Sequence, residues 1–320
     1  MGKQENAGKS GLLLALLLSV VGPAAGQAET LTFGILAKPA PAASAPALRT
    51  SFQGWMNGEV AQAWGQGYYG QNTTIRFVDD FLSSSRFAGS ASGVGEVQRH
   101  GEWVMEMAAL VAPGALTTAQ DFTAGTAITP VKGQLTTVNL SYAVRAWSGN
   151  TQIGWGAQER SVIDLASKGK AVVVKAAGND GIAIGAPAAD GLADFLNIAL
   201  IGTRSAIFVG ALEGNGTVAN PVARASYSNI AGTSTVVQSQ FLMVGVDSAE
   251  MGLAGTSFAA PVVSAYSAIL GSKFTKATPS QITNRLLGTA RTDTIIGYNP
   301  IEYGRGEASL ARAMAPVRIK

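Results

Sequence analysis

The chain holds one histidine and no cysteine. Thiol nucleophiles, disulfides and cysteine metal sites are therefore excluded, as is any single-chain metal site that needs two imidazoles. His100 is the sole imidazole base, and its partners decide what it could do. A serine hydroxyl becomes a nucleophile when a base lies within hydrogen-bond reach and a carboxylate orients that base. Two other segments offer such partners. Thr73-Thr74-Ile75-Arg76-Phe77-Val78-Asp79-Asp80 ends an apolar run in a carboxylate pair, and Gly255-Thr256-Ser257-Phe258-Ala259-Ala260-Pro261 places a serine at the head of an apolar helix pattern.

Each segment also has a plain structural reading. Aspartates favour turns, a lone histidine is often a cap or a core residue, and a serine at a helix start is often an N-cap. The combination is what argues for chemistry. The free N–H groups and positive dipole end of the Ser257 helix suit a developing oxyanion. The order along the chain is Asp, His, Ser. A hydrolase with a nucleophile elbow would need a histidine after the serine, and none follows Ser257. Asp121, Asp164, Asp180, Asp190 and Asp194 leave an order of His, Asp, Ser open by count, although none sits in a matching motif.

The elements that must position these residues follow from periodicity. Mainly apolar runs at Ile75–Val78, Val138–Leu140, Val172–Ala176, Ile207–Leu212 and Leu242–Val246 read as buried strands. Between several of them lie helix patterns. Val162, Leu165 and Ala166 share a helical face that Gly169 ends. Trp103, Met107, Leu110 and Val111 form a stripe behind His100, stopped by Pro113-Gly114. Thr278-Pro279-Ser280-Gln281 is a capping box with proline at the first helical position, ahead of a buried face of Ile282, Leu286 and Ala290. Pro261 is expected in the first turn of the Ser257 helix, where proline is tolerated. Strands alternating with helices predict an α/β fold with a parallel sheet covered on both faces, its site at the carboxyl ends of the strands. Asp79 and Asp80, adjacent on a strand, should point to opposite faces.

Composition bounds the rest. Apolar residues make up 47% and charged residues 13%, about half the usual charged share of ~25%, which fits a large core and excludes a disordered chain. The net charge is +3 with no basic block, so nothing marks a nucleic-acid partner. Lys3 and Lys9 precede the apolar run Gly11–Val21, and Pro23-Ala24-Ala25-Gly26-Gln27-Ala28 follows. That is the pattern of a cleaved leader over residues 1–28, too short for a membrane anchor, which needs ~20 apolar residues. Residues 29–50 read as a Pro/Ala-rich N-terminal arm and 51–320 as one domain.

The motifs together resemble the subtilisin-like serine peptidases (subtilases, family S8). Gly255–Pro261 looks like the family's serine motif, and Val172–Gly181, with Ala177-Gly178-Asn179-Asp180-Gly181 at its end, like its oxyanion segment. His100-Gly101, Val104 and Val111-Ala112-Pro113-Gly114 resemble the histidine motif, and Ala61–Trp64 with Gly67–Gly70 lead into Ile75–Asp79 as the aspartate segment is entered. Val138–Ser141, Ala225–Asn229 and Tyr303–Gly306 match further family stretches, so the resemblance covers roughly residues 52–315.

The resemblance implies a three-layer subtilisin-like fold and a secreted or periplasmic endopeptidase. Ser257 would be the nucleophile, His100 the base, Asp79 (not Asp80) the orienting carboxylate, and the Asn179 amide an oxyanion donor. Protein or peptide substrates would lie near Ser141, Tyr142, Ala177 and Gly178. No cofactor is required for catalysis. Relatives often bind a structural calcium ion, which the sequence does not place, and a proteinaceous inhibitor or folding factor is a conceivable partner; after leader cleavage no membrane is expected. Phe81, Glu102 and Trp103 depart from the family pattern and motivate the alternative of a catalytically impaired binding protein on this fold; a separate alternative is an acyl hydrolase using the same residues. The short stretch between residues 28 and 79 leads us to expect folding without a separate prodomain.

Overall fold

A computed structural model describes residues 51–319; the expected leader and N-terminal arm lie outside the described residues. In chain order the elements are α1 (Gly58–Gly65), β1 (Thr73–Asp79), β2 (Phe87–Gly89), β3 (Glu96–Gln98), α2 (His100–Val111), β4 (Leu116–Asp121), β5 (Leu135–Leu140), β6 (Arg145–Trp147), α3 (Ala157–Lys168), β7 (Val172–Ala176), β8 (Leu192–Asp194), α4 (Phe195–Leu200), β9 (Ala206–Leu212), α5 (Thr235–Gln240), β10 (Phe241–Gly245), α6 (Ser248–Met251), α7 (Thr256–Lys273), α8 (Pro279–Gly288), α9 (Pro300–Tyr303) and α10 (Leu310–Met314).

Six strands form one sheet in the order β10-β9-β7-β5-β1-β4, and every pairing in it is parallel. Both faces are covered, as the apolar runs predict. Side chains alternate across a strand, so each strand feeds two cores. Ile75, Phe77, Val172, Val174, Ile207 and Val209 meet helices α2 and α7 on one face. Val78, Val138, Val173, Phe208 and Met243 meet Val162 of α3 and Leu196 and Leu200 of α4 on the other. The result is the three-layer α/β architecture expected. Helix α7 is buried along almost its whole length, from Thr256 to Ser272. It crosses beneath β1, β5, β7, β9 and β10.

Local signals account for several boundaries. Gly169 ends α3 in the left-handed region at φ 63°, where glycine carries no Cβ penalty. At α8 the Thr278 hydroxyl accepts from the Gln281 N–H, and the Gln281 side chain accepts from the Thr278 N–H at 2.8 Å. Four local expectations need correction. Strand β4 was not anticipated, because Leu116-Thr117-Thr118-Ala119-Gln120-Asp121 is polar; it is an edge strand that pairs only with β1. Ala290 lies past the end of α8 and is half-buried. On α2 the buried stripe runs through Val104 and Ala108, while Leu110 is half-buried. Pro261 is the sixth residue of α7, in its second turn rather than its first.

Candidate active site

The carboxyl end of β1 and the amino end of α2 meet. Asp79 Oδ1 lies 2.5 Å from His100 Nδ1, and both residues are buried. The same oxygen accepts the Asp80 N–H at 2.7 Å. A carboxylate at Nδ1 holds the proton there and leaves Nε2 as the basic nitrogen. Burial alone would lower the His100 pKa, but the charge and hydrogen bond of Asp79 and the nearby charge of Asp80 outweigh it and raise it above 6.5. The ring also sits beside Phe258 and Phe87, with centroids 5.7 and 6.3 Å away.

Asp80 is equally buried but turns to its own loop, where it accepts from the Ser83 N–H at 2.9 Å and the Ser83 hydroxyl at 2.5 Å. Its carbonyl accepts the Gly101 N–H at 3.0 Å, which fastens the start of α2 to the end of β1. That junction admits no side chain: a Cβ on Gly101 would lie 2.7 Å from the Asp80 carbonyl oxygen and 2.9 Å from the Phe81 ring. Phe81 therefore packs where Gly101 leaves room. Glu102 caps its own helix, accepting the Arg99 N–H at 2.8 Å and pairing with the Arg99 guanidinium at 2.8 Å. Trp103 is fully buried and donates from Nε1 to the Phe87 carbonyl at 3.1 Å. The three unusual residues thus have structural partners around His100.

Sequence reasoning counted Asp121 only among the aspartates that left another triad order open and missed its structural role. It ends β4 directly opposite Asp79 in register. Its carboxylate accepts the N–H groups of Phe81 and Leu82 at 2.9 and 3.0 Å, and the N–H and hydroxyl of Thr123 at 2.9 and 2.5 Å. Burial pushes its pKa up, but these four donors more than reverse that and lower it. Among the described residues, none of Asp121, Asp164, Asp180, Asp190 and Asp194 bonds His100.

Ser257 is the second residue of α7, behind an N-cap at Gly255 with φ 139°. Its hydroxyl donates to the Ser141 carbonyl at 3.3 Å and makes no hydrogen bond to His100. Pro261 explains how its backbone is held. A proline has no N–H, so the carbonyl four residues earlier loses its helical partner. That carbonyl belongs to Ser257, and the Ser141 hydroxyl donates to it at 3.0 Å. Ser141 is held in turn by Asn139 Nδ2 at 3.0 Å, and Asn139 Oδ1 accepts from Ser264 at 2.9 Å. A polar chain thus links β5 to two turns of α7.

Asn179 follows β7. Its Oδ1 accepts both the N–H and the hydroxyl of Thr256, at 2.8 and 2.9 Å, and the same hydroxyl accepts the Gly178 N–H at 3.0 Å. With Oδ1 occupied twice, Nδ2 is left as a free donor next to the start of α7; a Cβ on Gly255 would lie 3.2 Å from it. Asn229 frames the segment from behind, donating to the Ala177 carbonyl at 2.9 Å and accepting the Asp180 and Ile182 N–H groups at 3.0 and 3.1 Å. Gly178, at φ +111°, has no room for a side chain beside that amide. Ser141, Tyr142, Ala177 and Gly178 line one cleft with Asn179 and Ser257, about 550 Å³ including its open mouth.

Among the described residues no group of three or more His, Cys, Asp or Glu side chains is placed to hold a metal ion. Nor is any described helix long and apolar enough to cross a membrane.

The family model of the subtilases (peptidase S8) matches residues 85–306, a span that includes His100, Asn179 and Ser257 but begins after Asp79. No curated protein matches the chain. Among solved structures it is similar to the prenylagaramide maturation protease PagA, at 16% identity and TM-score 0.52, covering 80% of this chain and 96% of that one. It is also similar to the MycP3 protease of the type VII (ESX-3) secretion system, at 17% and 0.51, covering 80% and 85%. A third is MycP1 from Mycobacterium smegmatis, at 17% and 0.50, covering 84% and 86%. These likenesses bear on the fold. The family match, spanning more than half of the chain, places this protein in the subtilase family of serine peptidases.

Proposed function

We propose that the protein is a secreted or periplasmic serine endopeptidase acting through Asp79, His100 and Ser257. The observation that supports this most is the arrangement around α7. A charge-paired imidazole packs beside Phe258, the residue after Ser257, and an amide fixed by Thr256 lies at the N-terminus of the same helix. In this reading a peptide lies extended along Ser141-Tyr142 and Ala177-Gly178. Rotation about the Ser257 Cα–Cβ bond takes the hydroxyl from the Ser141 carbonyl to His100 Nε2, which accepts its proton as Oγ attacks the scissile carbonyl. Asp79 stabilises the imidazolium, and the Asn179 amide with the Ser257 N–H receives the oxyanion. His100 then protonates the leaving amine, and water repeats the sequence to release the acid.

One observation favours a second reading, a catalytically impaired binding protein on the same fold: the Ser257 hydroxyl is bonded to Ser141 instead of His100. A fluorophosphonate probe separates the two. Labelling mapped to Ser257 by mass spectrometry, with casein hydrolysis lost in Ser257→Ala, supports the peptidase. Absence of labelling and of hydrolysis supports the binding protein. Turnover of a short acyl ester without casein would indicate an acyl hydrolase.

A further inference from the structure

Beneath Ser257 the cleft continues inward between the ends of β5 and β7, and its interior carries charges that no step of the proposed mechanism uses. Lys175, fully buried at the end of β7, places Nζ 3.0 Å from Asp194 and 2.8 Å from the Ala176 carbonyl. Asp194 gives its other oxygen to the N–H groups of Val144 and Leu196, at 3.1 and 3.0 Å. At the rim Arg145 pairs with Asp190 at 2.8 Å. These two pairs balance their own charges.

Besides the Asn179 amide assigned to the oxyanion, two acceptors in the cleft have no partner among the described residues. Asn197, only 2% exposed, spends its Nδ2 on the Ala177 carbonyl at 3.1 Å, while its buried Oδ1 has no hydrogen bond. Asp180, at the mouth, makes no side-chain hydrogen bond or ion pair among the described residues and lines the cleft with Asp194, Lys175 and Arg145. Both cations already have partners, Lys175 in Asp194 and Arg145 in Asp190 outside the lining, so Asp180 is the carboxylate left without an ion pair of its own. A buried acceptor without a donor carries an energetic cost that a donor-bearing guest removes. An uncompensated carboxylate at the entrance favours a guest that is positively charged.

Given the peptidase reading, on which this rests, we infer that the cleft selects a lysine or arginine side chain on the residue whose carbonyl is attacked. The scissile carbonyl must sit between Ser257 and Asn179, and the side chain one bond away has this cleft beneath it. The cationic head donates to Asn197 Oδ1 and lies near Asp180, while its methylene stem passes the small walls at Ala143 and Ala177.

The test is a set of fluorogenic peptides identical except at that residue, carrying Lys, Arg, Gln, Leu, Phe or Glu, assayed with the mature chain. Lys or Arg should exceed Leu in kcat/KM by a factor of roughly 5 to 150, the effect of leaving one buried acceptor unmade. Asp180→Asn, at an exposed position, should shrink the Lys-to-Leu ratio by about threefold. Gln, Leu or Phe preferred over both cations would overturn the inference. So would Glu, which would mean that Lys175 governs the cleft. Fluorophosphonate labelling of Ser257 separates the failures. A labelled enzyme with another preference sinks this inference alone, whereas an unlabelled one that cleaves no peptide in the set sinks the peptidase reading and this inference with it.

Discussion

Replacing Ser141 by alanine tests whether its hydroxyl substitutes for the N–H that Pro261 lacks. The substitution strands two groups, the Ser257 carbonyl and Asn139 Nδ2, both bonded to that hydroxyl. An unsatisfied buried group costs about 1–3 kcal/mol, so the sum is about 2–4 kcal/mol once some repartnering is allowed. For a domain of this size that corresponds to a fall in Tm of about 4–16 °C. The informative measurement is a double-mutant cycle with Pro261→Ala, which restores a backbone N–H four residues after Ser257. In that background only Asn139 Nδ2 is stranded by Ser141→Ala, and the loss should shrink by about 1–3 kcal/mol. Thermal and denaturant unfolding on a Ser257→Ala background avoids autolysis while keeping the Ser257 carbonyl. A coupling energy below about 0.5 kcal/mol, the range of independent sites, would refute the reasoning.

Asn179→Ala should lower kcat by about 10²–10³ with little change in KM, a range carried over from an oxyanion-hole asparagine of subtilisin itself; a defect wholly in KM would contradict the role. Asp79→Asn should cost about 10⁴ in kcat/KM, following the serine-protease precedent, and Asp80→Asn much less, because Asp80 bonds its loop and not the imidazole. The proposed mechanism needs neutral His100, so the acidic limb of activity should lie above pH 6.5, and Asp80→Asn should move it to lower pH by removing a charge that raises the His100 pKa. The stabilising effect of that same charge interaction has the opposite dependence: it is complete below the unfolded pKa and lost as pH rises through the folded one, a trend that unfolding as a function of pH would show. Gly255→Ala should lower kcat as well, since its Cβ crowds Asn179 Nδ2.

Five of the six sheet strands, the edge strand β10 among them, were legible because each is buried on both sides and dominated by apolar residues. Strand β4 was not, because an edge strand with half-exposed threonines carries no such signature. The short pairs β2–β3 and β6–β8 are three residues per strand, too brief for periodicity to register. His100 and Ser257 stood out by scarcity and motif. The work of Asp121 and of the Lys175–Asp194 and Asn197 contacts was hidden, because each joins separate elements, β4 to the loop after β1, β7 to β8, and α4 to the segment after β7, that only the folded arrangement brings together. Pro261 shows a subtler limit: its helix was anticipated, but the compensation for its missing N–H comes from Ser141, 116 residues away from the carbonyl it serves.

The position of α7 in the chain also sets when the molecule could first become active. A ribosome delivers β1, α2 and β7 long before it delivers residue 257. Until then the face carrying Ile75, Phe77, Val174 and Val209 has α2 against its β1 end but lacks the central helix α7. Ser257, the proposed nucleophile, the Thr256 groups that hold the Asn179 side chain, and the central helix of the core all arrive together in one segment. On the proposed mechanism a nascent chain therefore has no working hydrolase in it, and the same late segment that closes the fold also switches it on. During that interval the uncovered part of that face is the surface a chaperone would hold.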